Sequence, residues 1–140
     1  MLAHLRSWPR GLQVVVALIG VAALTGALQT GALLLGQLAA SLHNVTYVAV
    51  SMLAYAAALV SAARGQRRGF FWNALAVAIL HLVFVGQYLL STIRLMIDLQ
   101  VSPFPLSGFE QWNLGVFALA LALAVYLLAI ERPRLFAKQT

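Results

Sequence analysis

The chain is 140 residues long, 63% hydrophobic and 9% charged, with a formal net charge of +6 and no cysteine. A soluble domain of this length cannot bury that much apolar surface, so the composition points to an integral membrane protein. Disulfides, iron–sulfur clusters and thiolate zinc sites are excluded, and the positive charges flank apolar segments instead of forming a nucleic-acid face.

Residues 1–11, MLAHLRSWPRG, have the basic start of a signal peptide. The apolar run behind them is too long for one and lacks a clear small-residue cleavage site before the next polar break, so it reads as a retained first span over about 11–36, with cleavage after the small residues Ala22 and Ala23 as the alternative. Ser7 is the expected N-cap and Pro9 suits the first turn, with Arg6, Trp8 and Arg10 as headgroup anchors. Gly20, Gly26, Gly31 and Gly36, with Thr25 and Thr30, make one side small enough for close helix approach.

A polar break, residues 37–44, precedes a second span over about 45–63. His43, Asn44, Thr46 and Tyr47 stand near its start, and Ala54, Ala56, Ala57, Ala58, Ser61, Ala62 and Ala63 form a packing surface near its end. The triplet Asn44-Val45-Thr46 fits a glycosylation acceptor but lies at the membrane boundary, and carries no weight.

Arg64, Gln66, Arg67 and Arg68 belong to a tight basic turn, followed by an expected aromatic belt of Phe70, Phe71 and Trp72. The third span covers about 70–94 and carries polar groups at its centre. At about 100° per residue, Asn73, His81, Tyr88 and Thr92 share a sector of roughly 100°, a stripe too costly to face lipid. Arg94 and Asp98, four apart, have the spacing of an ion pair.

Pro103 and Pro105 exclude a continuing helix, and Ser107 with Glu110 has the spacing of a capping box. The fourth span covers about 111–130, with Trp112 as its anchor. Glu131, Arg132, Pro133 and Arg134 are expected to stop it, leaving a short basic tail that includes Lys138. The resulting fold class is all-α, an antiparallel four-helix membrane bundle in a single domain. Eight Lys or Arg residues lie on one side of this bundle and Arg94 alone on the other, which puts both termini in the cytoplasm.

Two groups of residues are candidates for chemistry. His81 and His43 invite a bis-histidine haem, but a hairpin turning near Arg67 sets them at levels roughly 15 Å apart, too far for axial ligands of one iron. His81 is then expected to bond Ser51, Tyr55 or a backbone carbonyl. The same hairpin places His43, Thr46 and Tyr47 level with Gln87, Tyr88, Ser91 and Arg94, where a quinone or lipid headgroup is a conceivable ligand. Mid-span acids and bases, nucleophile–base pairs and nucleotide motifs are absent from the pattern, so neither catalysis nor ion transport is indicated.

The expected role is a non-catalytic accessory subunit of a larger respiratory or transport complex in a bacterial inner membrane. Its partners are lipid and either larger subunits or copies of itself. The alternatives are a small oligomeric channel or transporter for a neutral solute, lined by the His81 stripe, and a haem-associated electron-transfer subunit.

Overall fold

The structure is a computed structural model and describes residues 5–36, 41–100 and 106–136. Residues 37–40, Pro103, Pro105, Lys138 and the side chain of His43 lie outside the described set. Helix α1 is Arg10–Leu34, α2 is Leu42–Ala63, α3 is Arg67–Asp98 and α4 is Gly108–Tyr126. A π-helical turn, Leu127–Glu131, carries α4 into the short α5, Arg132–Phe136. Four segments are long and apolar enough to cross a membrane, the last running from Gly108 through Phe136. Consecutive helices pack side by side, α1 on α2, α2 on α3 and α3 on α4.

The turn between α2 and α3 closes by backbone bonding alone. Gly65 takes φ +70°, its N–H donates to the Ala62 carbonyl at 3.0 Å, and the Gln66 N–H donates to the Ser61 carbonyl at 2.9 Å. That is the pattern in which a left-handed glycine satisfies the last free carbonyls of a helix, and it reverses the chain within three residues. The basic residues Arg64, Arg67 and Arg68 are thereby gathered at one end of the bundle. The residues before α1 and those of α5 lie at the same end: Arg67 Nη2 donates to the Ser7 carbonyl at 2.7 Å, and the Arg68 guanidinium stands 5.3 Å from the Phe136 ring centre.

Burial is concentrated at this basic end. The buried apolar residues include Leu12, Val15 and Ile19 of α1, Ala58 and Ala62 of α2, Phe70, Phe71, Ala74 and Ala78 of α3, and Ala124 and Leu127 of the fourth segment. Beyond Ile19, Ser51, Val85 and Ala120 on the four helices, Gly26 alone among the described residues is buried. The far halves are held by separate contacts. A Cβ at Gly26 would meet Met52 and Tyr55, and one at Gly86 would meet Phe117.

Several local expectations change. Helix α1 starts at Arg10, with a bond from the Gln13 N–H to the Pro9 carbonyl, so Ser7 lies ahead of the cap position, and its carbonyl accepts from Arg67. Helix α2 begins earlier than expected because Ser41 caps it, accepting from the Asn44 N–H at 3.1 Å. Phe70 and Phe71 are fully buried and Trp8 is 4% exposed, packed 5.3 Å from Phe70, so these rings are core and only Trp72 of the expected belt faces outward. Arg94 and Asp98 are exposed and form no ion pair. An exposed pair gains only a few tenths of a kcal/mol at best, and a basic residue four before an acidic one is the weaker order.

The largest change is at the end of the fourth segment. Residues 131–134 were expected to stop the helix, yet it continues through them, because the π turn absorbs Pro133. The Arg132 N–H reaches back to the Leu127 carbonyl, five residues away, and this extra residue shifts the register that the proline ring would otherwise clash with.

Candidate functional site

Tyr47, Ser51 and Tyr55 recur every four residues on α2 and so share one face. That face meets the Asn73–His81 stripe of α3. The Tyr55 hydroxyl lies 2.7 Å from His81 Nε2, and His81 Nδ1 lies 2.9 Å from the Val77 carbonyl one turn earlier. A carbonyl only accepts, so Nδ1 carries the proton and Nε2 accepts from Tyr55. The imidazole is edge-on to Tyr47 at 5.7 Å, and Tyr47 in turn packs on Phe84 at 5.3 Å. Ser51 Oγ is buried near both tyrosine hydroxyls without a bond of good geometry to either. One level nearer the basic end, Asn73 Nδ2 donates to Ser61 Oγ at 2.9 Å and to the Ala57 carbonyl at 3.3 Å.

The polar stripe of α3 therefore divides. Asn73 and His81 face α2, whereas Tyr88 packs edge-on against Phe109 at the start of α4, ring centres 5.6 Å apart. Of the second group of candidates, the side chain of His43 lies outside the described residues, and the others are placed as follows. Tyr47 turns to His81, Ser91 Oγ donates to the Tyr88 carbonyl of its own helix at 2.8 Å, and Gln87, Arg94 and Thr46 are exposed. Of the named anchors, Trp72 and Trp112 face outward at 54% and 59% exposure, and Arg6, Arg10, Arg64, Arg68, Arg132 and Arg134 are exposed at the basic end.

A second buried polar site, at the basic end, has no counterpart among the expected residues. Glu131 is completely buried; its Oε1 accepts from the Tyr126 hydroxyl and from Arg134 Nη1 at 3.3 Å, and its Oε2 has no partner. Tyr126 in turn lies against α1 at Gly11, where a Cβ would stand 2.5 Å from the tyrosine Cζ. Residues five apart on an α-helix point about 140° away from each other, so sequence spacing gives no hint of the Tyr126–Glu131 bond. The π turn between them creates it.

In chemical terms most of these groups are engaged with one another, the exceptions being Ser51 Oγ and Glu131 Oε2. His81 has both ring nitrogens engaged, and Asn73 spends its donors on α2. Among the described residues no three of His, Cys, Asp and Glu come together. No family model, curated protein or solved structure matches the chain.

Proposed function

We propose that the chain is a non-catalytic accessory subunit of a larger membrane complex of the respiratory or transport kind. In this reading it lies in a bacterial inner membrane with its basic end, and both termini, on the cytoplasmic side. The observation that carries the proposal is an unfilled seam on α1. Gly20 and Gly31 are about 20° apart around the helix, and a Cβ built at either meets nothing within 4 Å. Ala27 is exposed between them. Gly26, on another face of the same helix, is by contrast filled by Met52 and Tyr55.

Helix α4 repeats the feature with Gly115, which is open, and with Ala118 and Ala122, which are exposed. Within lipid, helices associate through close backbone approach at small residues, and the first and last helices of the bundle both offer it. The bonds of Asn73 to Ser61 and of His81 to Tyr55 support a structural role for the stripe that holds them.

Purification in mild detergent tests the proposal, with Gly20→Leu/Gly31→Leu as the comparison. Stoichiometric co-isolation of larger chains with the wild type, lost in a variant that keeps its helical circular dichroism, is the expected result. A pure homo-oligomer that passes a neutral solute in liposomes overturns it.

A further inference from the structure

Arginines from three separate stretches of chain meet at the basic end. Arg67 Nη2 is held by the Ser7 carbonyl at 2.7 Å, and its guanidinium lies 5.9 Å from the Trp8 ring centre. Arg68, the next residue, stands over Phe136 of α5. The two side chains thus leave α3 on different flanks, one toward the residues before α1 and the other toward the end of the fourth segment. A guanidinium has five N–H donors. The contacts to Ser7 use Nη2 of Arg67, and the contact of Arg68 is to a ring face.

Among the described residues, one of the charges at this end has a counter-ion within the protein: Arg134 pairs with Glu131. Arg6, Arg10, Arg64, Arg67, Arg68 and Arg132 are left without a carboxylate, and the other two acids, Asp98 and Glu110, belong to the opposite end. Where an apolar bundle meets water, the anions within reach are phospholipid headgroups, and juxtamembrane basic clusters gain affinity from them. A guanidinium whose orientation is already held by a ring and a carbonyl loses less freedom when it takes a phosphate oxygen.

We infer that Arg67 and Arg68 each take the phosphate of an anionic phospholipid headgroup, Arg67 on the flank of α3 that it shares with the residues before α1 and Arg68 on the flank that it shares with α5. The excess of unpaired positive charge selects an anionic headgroup over a zwitterionic one. This inference rests on the membrane placement of the bundle and is independent of the accessory-subunit reading.

The experiment is native mass spectrometry of the detergent-solubilised full chain with phosphatidylglycerol and phosphatidylcholine in competition, and inorganic phosphate in a separate arm. At the increment expected for a basic residue near a charged surface, two arginines amount to a preference for phosphatidylglycerol of about thirtyfold. Arg67→Gln/Arg68→Gln is expected to lose that preference, and Arg94→Gln, at the opposite end, to keep it. Equal binding of the two lipids by the wild type overturns the proposal even if the double variant fails to fold. So does an unchanged preference in the double variant, and so does inorganic phosphate displacing the lipid at equal concentration, which identifies a site for free anions.

Discussion

The Tyr55 hydroxyl and His81 Nε2 stand 2.7 Å apart, joining α2 to α3 at the far edge of the packed half of the bundle. The bond places a histidine inside an apolar span without exposing a lone pair, since Val77 takes the opposite nitrogen.

If that bond is structural, breaking it from either side should have comparable effects. Tyr55→Phe and His81→Phe are each expected to destabilise the protein by about 1–3 kcal/mol, the cost of leaving one buried partner unsatisfied. The double variant should recover part of the loss, with a coupling of about 0.6 kcal/mol and at most about 1.7 kcal/mol, the average and the upper end for hydrogen bonds between membrane helices. Unfolding in mixed micelles by a denaturing detergent measures all three. Additive losses would show that the pair does not interact.

Two glycines on α1 are expected to respond in opposite ways. Gly11→Ala drives a methyl group into Tyr126 and should destabilise by about 1–3 kcal/mol as the ring is pushed off Glu131. Gly20→Ala meets nothing within 4 Å and should be neutral or stabilising by up to about 1 kcal/mol in the isolated chain, through helix propensity. The same unfolding assay reads both.

The Glu131 site gives an ordering. Tyr126→Phe removes a donor and leaves the buried carboxylate with Arg134 alone, an expected loss of about 1.5–3 kcal/mol. Glu131→Leu removes the charge and frees Arg134, which is 61% exposed at its side chain and can be solvated. Replacing a buried ionic group with an apolar one of similar volume is often neutral or better, so the leucine variant should be the more stable of the two. Melting curves in the same detergent decide, and the reverse order would show that the carboxylate contributes net stability.

At the other end, Ser107 Oγ accepts from the Glu110 N–H at 3.3 Å and the Glu110 carboxylate accepts from the Ser107 N–H at 2.8 Å. Ser107→Ala is expected to cost about 0.5–2 kcal/mol. Because the start of α4 lies in the half of the bundle with few buried residues, the loss should be local. Amide exchange should quicken over the first turn of α4 and stay unchanged around Leu127.

The parts of this fold that were legible in the sequence are those set by local chemistry. Apolar run length marks the four spans, the spacing of Ser107 and Glu110 marks the cap, and the hairpin near Arg67 puts His81 level with Ser51 and Tyr55. What was not legible depends on which way a side chain turns once neighbours are present. Trp8, Phe70 and Phe71 have the composition of an interfacial belt, and only the approach of α1 to α3 makes them core. Tyr126 and Glu131 required a change of helical winding, just ahead of Pro133, that no regular periodicity anticipates. The ring partners of the tyrosines were likewise not legible: Tyr47 packs on His81 and Phe84, and Tyr88 on Phe109 of the fourth segment.

Crowding the buried side chains toward one end gives the bundle a firm base and four compliant arms. Spreading those arms disturbs few interior contacts, whereas any displacement near Leu12, Phe70 or Leu127 disrupts many at once. Thinning or thickening of the surrounding bilayer is therefore absorbed far from the arginines, by changes in tilt at the loose ends. The depth of the basic rim relative to its leaflet stays constant while the rest of the molecule adjusts.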